Sequence, residues 1–265
     1  MRRAIVSALL LLLVVACGDA DSKSPAAPAP ASPCNQQQFE GDRFTVCDPG
    51  RGQIELFAAA RGETPVRRFA DLEATLGRRG GEVAFAMNAG MFDEEGRPIG
   101  LAIVDGREVH AINRRQGGGN FHLMPNGVFV VRRDGRASVV ASAAFKPSKN
   151  VALATQSGPM LVIDGQLHPA FDRDGTSRYI RNGVGIAPDG KPRFVISEQP
   201  VSLGKFARFF RGALKARNAL FFDGSVSALW DPANGRRDDT VPLGPMIVVF
   251  KPAASAPGRV GRATP

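Results

Sequence analysis

Cysteine, histidine and the polar aromatic residues are scarce in this sequence, and their scarcity argues against several functions. The 265 residues include three Cys, three His, one Trp and one Tyr. No two cysteines have the spacing of a zinc site and the histidines are not clustered, so we predict no metal site and expect no cofactor. The formal net charge is +9. Aromatic and basic residues nevertheless do not interleave as in nucleic-acid-binding modules, so no nucleic-acid partner is predicted.

A long hydrophobic run is also missing. The apolar stretch at residues 4–16 is shorter than the roughly 20 residues that span a bilayer, but it has the length of the apolar part of a secretory signal. Small and aliphatic residues lead directly into Cys17, which resembles a bacterial lipoprotein signal. That resemblance implies cleavage before Cys17, a lipid on its sulfur and attachment to a membrane of the cell envelope. The alternative is an ordinary secretory signal followed by an incidental cysteine.

Composition divides the chain into four predicted segments. Residues 1–16 are the signal peptide, and residues 17–33 carry the lipidated cysteine and a flexible tether rich in Ala, Pro and Ser. Residues 34–252 are long enough for one domain with a substantial core. Residues 253–265 have the composition of a disordered tail.

Two cysteines remain if Cys17 carries a lipid. They are Cys34 and Cys47, an even pair in what would be an oxidising compartment. We predict that they form a disulfide that closes a short loop and holds the strand at residues 44–46.

Short apolar runs separated by Gly, Asp and Pro dominate residues 34–252, which predicts many short strands. Helical spacing is confined to residues 66–76 and to an amphipathic segment that starts at Ser202. We therefore predict an α+β fold with two main helices and twisted mixed β-sheets in a single domain. The residues Asp105 and Gly106 are a typical hairpin turn between two of these strands.

Two of the predicted buried strands end at a polar residue. The apolar residues 219–222 stop at Asp223 and Gly224, and residues 83–87 stop at Asn88. A carboxylate at the end of a buried strand is poorly solvated unless something binds it, and a glycine lets a ligand approach the backbone closely. Two such strand ends predict a shared pocket. The alternatives are a hairpin turn at Asp223 and a turn-capping role for Asn88.

Further polar residues are candidates for the same pocket. Ser225 and Ser227 alternate with apolar residues, so a returning strand would place both hydroxyl groups on one face. Gln156 and Ser157 lie between two apolar strands and are expected either to point into a site or to satisfy buried backbone groups.

Arg181 lies within a predicted strand at residues 179–186. An arginine in a strand usually faces solvent, but its guanidinium group is also a planar fork that suits phosphate or carboxylate. The polar loop at residues 172–178 is expected to border a pocket.

Six motifs resemble the phosphodiester glycosidase family and occur in the family's order. They are N-A-G-M-F at residues 88–92, G-N-F-H-L-M-P-N-G-V-F at 119–129, A-T-Q-S-G-P-M-L-V-I-D-G at 154–165, L-H-P-A-F at 167–171, R-N-G-V-G at 181–185 and F-F-D-G-S-V-S at 221–227. The resemblance covers roughly residues 44–250. It is closer to short exported bacterial members of the family than to the animal enzyme that is the family's prototype. It implies hydrolysis of the glycosidic bond of a sugar phosphodiester, which releases a sugar such as N-acetylglucosamine and a phosphomonoester.

The resemblance, together with the chemistry of this reaction, assigns roles to particular residues. A phosphomonoester, whose second pKa is about 6, leaves easily, so a strong general acid is less necessary. Asp223 and Arg181 are the predicted catalytic residues: the carboxylate stabilises an oxocarbenium-like centre or activates water, and the guanidinium group supports the phosphate. The predicted substrate-binding residues are Asn88, Gln156, Ser157, Asn182, Gly224, Ser225 and Ser227.

The sequence thus predicts an exported, lipid-anchored hydrolase that acts on sugar phosphodiesters of the envelope or of exopolysaccharide. The glycine run after Asp223 is shorter than in the animal enzyme, which leaves the substrate open. One alternative is a glycan-binding lipoprotein that keeps the pocket but turns nothing over. Another is a phosphodiesterase that attacks phosphorus instead of the anomeric carbon.

Overall fold

Antiparallel pairing of short strands builds most of the structure, a computed structural model in which residues 31–253 are described. In chain order the strands are β1 (Cys34–Phe39), β2 (Asp42–Cys47), β3 (Gln53–Phe57), β4 (Val83–Asn88), β5 (Ala102–Val104), β6 (Arg107–His110), β7 (Gly127–Arg132), β8 (Ala137–Ala141), β9 (Val151–Ser157), β10 (Met160–Ile163), β11 (Gln166–Leu167), β12 (Asn182–Ile186), β13 (Pro192–Ser197), β14 (Ala219–Asp223), β15 (Leu229–Asp231), β16 (Arg236–Arg237) and β17 (Met246–Phe250). The α-helices are α1 (Phe69–Leu76) and α2 (Leu203–Gly212), and short 3-10 turns occupy Gly77–Glu82, Asn120–His122 and Pro232–Asn234.

The strands form three sheets. The first has seven strands in the order β1-β2-β13-β12-β14-β10-β11, the second five in the order β16-β15-β4-β17-β3, and the third five in the order β6-β5-β9-β7-β8. The predicted α+β class with two main helices is confirmed. Every strand pair in residues 31–253 is antiparallel, so the sheets are not mixed as predicted. Tight turns such as the predicted one at Asp105 and Gly106 join antiparallel neighbours, whereas a parallel pair needs a long crossover.

One aromatic ring from each sheet meets at the centre of the core. Phe194 of the first sheet contacts Phe85 of the second and Phe129 of the third, with ring centroids 5.6 Å apart in both pairs. All three side chains are fully buried. Edge-to-face rings stabilise such a junction beyond the burial of their area. The three sheets therefore pack against one another at a common point.

Helix α2 covers the first sheet through the apolar face that the sequence predicts. Ser202 caps its N-terminus by accepting a hydrogen bond from the backbone N–H of Lys205 at 3.1 Å. Phe206 and Phe209 are fully buried, and the Phe209 ring stacks on Phe44 of β2 at 4.1 Å between centroids.

Helix α1 starts at Phe69, later than the predicted residue 66, because its cap comes from a distant part of the chain. The Asp239 carboxylate accepts hydrogen bonds from the backbone N–H groups of Phe69, at 2.7 Å, and Ala70, at 3.1 Å. A cap supplied from 170 positions away leaves no local signal.

Several predicted segments lie outside the described residues. They are the signal at residues 1–16, Cys17 with most of the tether, and nearly all of the tail at 253–265. Within residues 31–253, no helix is long and apolar enough to cross a membrane.

The predicted disulfide between Cys34 and Cys47 is confirmed. The two residues are 13 positions apart in sequence and face each other across the β1–β2 hairpin. Both are buried, and β2 pairs on its other side with β13. The bond therefore fastens the edge hairpin of the first sheet, including residues 44–46.

Replacing both cysteines by alanine is expected to lower the free energy of unfolding by about 3 kcal/mol, since a cross-link over a loop of this length restricts the unfolded chain. Urea denaturation under oxidising conditions measures the difference. As a control, dithiothreitol should lower the midpoint of the wild type and leave that of the variant unchanged. Equal midpoints for the two oxidised proteins would contradict a stabilising disulfide.

Candidate active site

The ends of strands from all three sheets meet beside the core. β14 ends at Asp223, β4 ends at Asn88 and β9 ends at Ser157, while β12 begins at Asn182. The Ser157 hydroxyl donates to the backbone carbonyl of Phe222 at 2.6 Å, and the Asn182 Nδ2 atom donates to Asn88 Oδ1 at 2.8 Å. The two strand ends singled out in the sequence thus lie together.

The chain does not turn back on itself after Asp223. β14 belongs to the first sheet, whereas β15 pairs with β4 in the second. Residues 224–228 therefore cross from one sheet to another, and we call them the crossing loop. The hairpin-turn alternative is wrong, and so is the returning strand that placed Ser225 and Ser227 on one face. Pairing with β4, a strand more than a hundred positions earlier, decides the path.

Two buried asparagines hold the crossing loop. Asn182 donates to the side-chain and backbone oxygens of Asn88, both at 2.8 Å, and its Oδ1 atom accepts from the Asp223 N–H at 3.1 Å. Asn88 donates to the carbonyl of Val226 at 2.5 Å and accepts from the N–H of Ala228 at 2.8 Å. Their amide groups are consumed by these bonds, so the geometry favours a supporting role over the predicted contact with substrate.

The two serines of the crossing loop have different surroundings. The Ser227 hydroxyl lies 2.8 Å from the carbonyl of Asp223 and 3.0 Å from that of Ile180, so it is directed into the protein. Ser225 is exposed, and it is its backbone N–H that bonds Asp223. Only Ser225 presents its hydroxyl group to solvent beside the carboxylate.

Asp223 is a nearly buried carboxylate, with 9% of its surface exposed. Its Oδ1 atom accepts hydrogen bonds from the backbone N–H groups of Ser225 at 2.8 Å and Val226 at 3.2 Å. Burial raises the pKa of Asp223 above its ordinary value, and the N–H bonds offset part of that rise. No basic side chain of residues 31–253 forms a salt bridge with it. A carboxylate in this state is typical of functional sites.

Arg181 lies directly before β12, not within it, and is 1% exposed. Its Nε atom donates to the carbonyl of Val201 at 2.7 Å, and Nη2 donates to that of Ser177 at 3.0 Å. Its Nη1 atom is buried without a hydrogen-bond partner in the described structure. A Cβ atom on Gly224 would lie 2.8 Å from Nη1, so the guanidinium group lies against the crossing loop. Desolvation lowers the pKa of Arg181 to about 10, which leaves it cationic at neutral pH.

Gln156 and Ser157 hold backbone in place. The Gln156 Oε1 atom accepts from the N–H groups of Leu101 and Asn113, both at 2.9 Å, and its Nε2 atom donates to the Asn113 carbonyl at 2.6 Å. Ser157 is fully buried against Phe222. These contacts correspond to the satisfied-backbone alternative left open by the sequence.

Gly90 is a residue of this region that the sequence reasoning passed over. A Cβ atom at this position would lie 2.4 Å from the carbonyl oxygen of Gln156, a distance that side chains do not tolerate. The Gly90 N–H donates to the hydroxyl group of Thr155 at 3.2 Å. The glycine allows the segment after β4 to lie against β9. Its place in the N-A-G-M-F motif at residues 88–92 was a signal that could have found it.

The predicted residues therefore fall into two groups. Within residues 31–253, the first group keeps side-chain polar atoms without a hydrogen-bond partner: the exposed Ser225 hydroxyl, one oxygen of Asp223 and the buried Arg181 Nη1 atom, which lies against the buried Gly224. Those that hold the crossing loop and the strand ends are Asn88, Gln156, Ser157, Asn182 and Ser227. Asp223 directly precedes Gly224 in the chain, the Arg181 Nη1 atom lies against Gly224, and the two side chains form no ion pair within 4.0 Å.

A sequence comparison assigns this chain to a known class of protein. A sequence model of the family described as phosphodiester glycosidase matches residues 81–250. The chain belongs to this family, as the motifs indicated.

Two solved structures share the fold. One is the zebrafish N-acetylglucosamine-1-phosphodiester alpha-N-acetylglucosaminidase catalytic domain, auto-inhibited by its pro-peptide, with a TM-score of 0.56, 17% identity and coverage of 83% of this chain and 81% of that one. The other is a hypothetical protein from Synechocystis, with a TM-score of 0.52, 14% identity and coverage of 83% and 61%. At these identities the likeness concerns the fold alone.

A curated relative is nearer in sequence. The uncharacterized protein YigE of Escherichia coli K12 is 39% identical over 150 residues, which are 57% of this chain and 59% of that protein. The match thus spans about three fifths of the length of the relative.

Replacing Asn182 by alanine is expected to lower the free energy of unfolding by at least about 2 kcal/mol, because buried groups on two sheets lose their partners together. Chemical denaturation measures the change. Ser225→Ala is the control, because it removes an exposed hydroxyl group from the crossing loop. It should change the free energy of unfolding by less than about 0.5 kcal/mol. A similar small effect for both variants would show that the asparagine does not hold the loop.

Proposed function

We propose that this protein hydrolyses the glycosidic bond of a sugar phosphodiester. Membership of the phosphodiester glycosidase family supports the reaction class. The observation that carries the proposal is a nearly buried carboxylate and a buried guanidinium group that flank Gly224 without pairing with each other. Groups of opposite charge kept apart are available to a substrate that needs both.

The chemistry of the substrate explains why a single catalytic carboxylate is sufficient, without a second one as general acid. Water attacks the anomeric carbon, the bond from that carbon to the phosphate oxygen breaks, and the phosphomonoester takes the electron pair. A leaving group with a second pKa of about 6 needs little protonation, unlike the alcohol of an ordinary glycoside. Asp223 removes the proton of the water or stabilises the oxocarbenium-like centre, and Arg181 stabilises the charge that grows on the phosphate.

The crossing loop supplies the remaining contacts in this proposal. Ser225 lies at the exposed end, where its hydroxyl group can bind the sugar. Gly224 has no side chain to separate the substrate from Arg181. Asn88, Asn182 and Ser227 act through the loop, as positioning residues.

Export and anchoring belong to the proposal as well. The apolar segment at residues 4–16 and the residues before Cys17 favour a lipid-anchored protein of the cell envelope, with sugar phosphodiesters of the envelope or of exopolysaccharide as substrates.

The first test is release of N-acetylglucosamine from UDP-N-acetylglucosamine or an alkyl phospho-N-acetylglucosamine. Asp223→Asn is expected to lower kcat/KM at least about a hundredfold, as loss of a general base usually does. Asp164→Asn is the matched control, because Asp164 lies in an exposed turn and the same substitution there should leave kcat/KM unchanged.

Other outcomes of this assay would contradict the proposal. Sugar binding without turnover, across several sugar phosphates, would indicate a binding protein. Oxygen-18 from water found in the phosphate product would indicate attack at phosphorus. Equal activity of the wild type and Asp223→Asn would remove Asp223 from the mechanism.

The pH profile provides a second measurement on the same residue. Asp223 works as a carboxylate, so kcat/KM should fall as the pH falls through its pKa. Because burial raises that pKa, the acid limb should lie above the ordinary Asp value of about 4. An acid limb at or below that value in the wild type would contradict the assignment. Asp164→Asn should show the same limb as the wild type.

Lipid attachment is tested separately from activity. Cells grown with a labelled fatty acid should label the wild-type protein but not Cys17→Ser, and only the wild type should sediment with membranes. A soluble, unlabelled wild type would leave the ordinary secretory signal as the explanation for residues 1–16.

A further inference from the structure

A cavity of about 190 Å³ is lined in part by Arg181. Its walls include Thr176 and Ser177 of the polar loop, Arg181, and Ser202 with Leu203 at the start of α2; the exposed Asp172 also lines it. The cavity is smaller than the roughly 300 Å³ of the smallest pockets that enclose drug-sized ligands. It therefore suits an ion-sized group.

The guanidinium group in its wall has no charge partner. Arg181 forms no salt bridge with a carboxylate of residues 31–253. Its Nε and Nη2 atoms donate to backbone carbonyls, and its Nη1 atom, which lies against Gly224, has no hydrogen bond there. The rings of Phe221 and Tyr179, 5.3 Å and 5.5 Å from its central carbon, supply only weak cation–π attraction. Burying a charge without an ionic partner is unfavourable. The positive charge of Arg181 is therefore not balanced by a carboxylate of residues 31–253.

The start of α2 adds a second source of positive potential. In this ten-residue helix the N–H groups of Leu203 and Gly204 precede the first intrahelical bonds, while Ser202 uses its side chain on Lys205. Both residues line the cavity. Helix N-termini attract anions through these N–H groups and through the helix dipole. A buried cation and a helix N-terminus thus face the same small space.

Asp172 is the one carboxylate among the lining residues, and its negative charge would repel an anion bound in the cavity. Its side chain is exposed to solvent, whereas Arg181 is buried. Water and salt screen an exposed charge far more strongly than a buried one. The potential inside the cavity is therefore dominated by Arg181.

We propose that this cavity is a phosphate-binding subsite formed by Arg181 and the start of α2, with Thr176 and Ser177 in its wall. Resting on the proposed function, the phosphate half of the substrate enters the cavity while the sugar remains on the Asp223 side of the crossing loop. Gly224 separates the two halves, and the scissile bond lies beside it.

The test is binding of inorganic phosphate to the purified protein, measured by calorimetry. Thr176→Glu places a carboxylate in the cavity and is expected to weaken phosphate binding at least about tenfold through like-charge repulsion. Thr176→Gln has the same size without the charge and should stay within about twofold of the wild type. Since Thr176 is exposed, both variants should unfold at the wild-type temperature. Ser177→Glu and Ser177→Gln form a second pair on the same wall.

Equal phosphate affinity in the Glu and Gln variants, or no phosphate binding by the wild type, would overturn the subsite. Turnover separates this result from the proposed function. If the charge pairs alter phosphate binding as expected but no phosphodiester is hydrolysed, the subsite stands and the hydrolase fails. If hydrolysis occurs and KM is the same for Thr176→Glu and Thr176→Gln, the hydrolase stands and the subsite is wrong.

Discussion

The contact between Asn182 and Asn88 is the constraint on which the candidate site depends. Two hydrogen bonds of 2.8 Å join the first sheet to the second at a point where both side chains are buried. Buried amides must be satisfied, so these bonds determine how the two sheet edges meet. The same two asparagines bond the crossing loop at Val226 and Ala228 and the end of β14 at Asp223, so they hold the loop beside the carboxylate.

Asp223 and Arg181, the two buried charged groups of the candidate site, form no salt bridge within residues 31–253. Desolvation raises the pKa of the Asp223 carboxyl group and lowers that of the Arg181 guanidinium group. An ion pair between the two groups would offset both shifts, because each charge would stabilise the other. The fold instead leaves them unpaired, although both lie next to Gly224. Stability given up in this way is a recurrent feature of sites at which charge develops during a reaction.

Local patterns account for what could be predicted. Apolar runs that end at polar residues predicted β4 and β14, and the spacing of aromatic residues predicted α2. The cysteine count predicted the disulfide. The path after Asp223 could not be predicted, because the turn signal at Gly224 is local while the pairing of β15 with β4 is not. The role of Gln156 was open for the same reason: its partners at Leu101 and Asn113 are far away in sequence.

The sequence by itself determined the α+β class, the family and the set of residues near the site, since periodicity, composition and motifs are properties of short stretches. Only the tertiary structure decided which of those residues support the crossing loop and which are left to bind. That distinction depends on hydrogen bonds between side chains and backbone groups tens of positions apart, from Asn88 to Val226 and from Ser157 to Phe222. Such bonds exist only after three sheets have packed around Phe194.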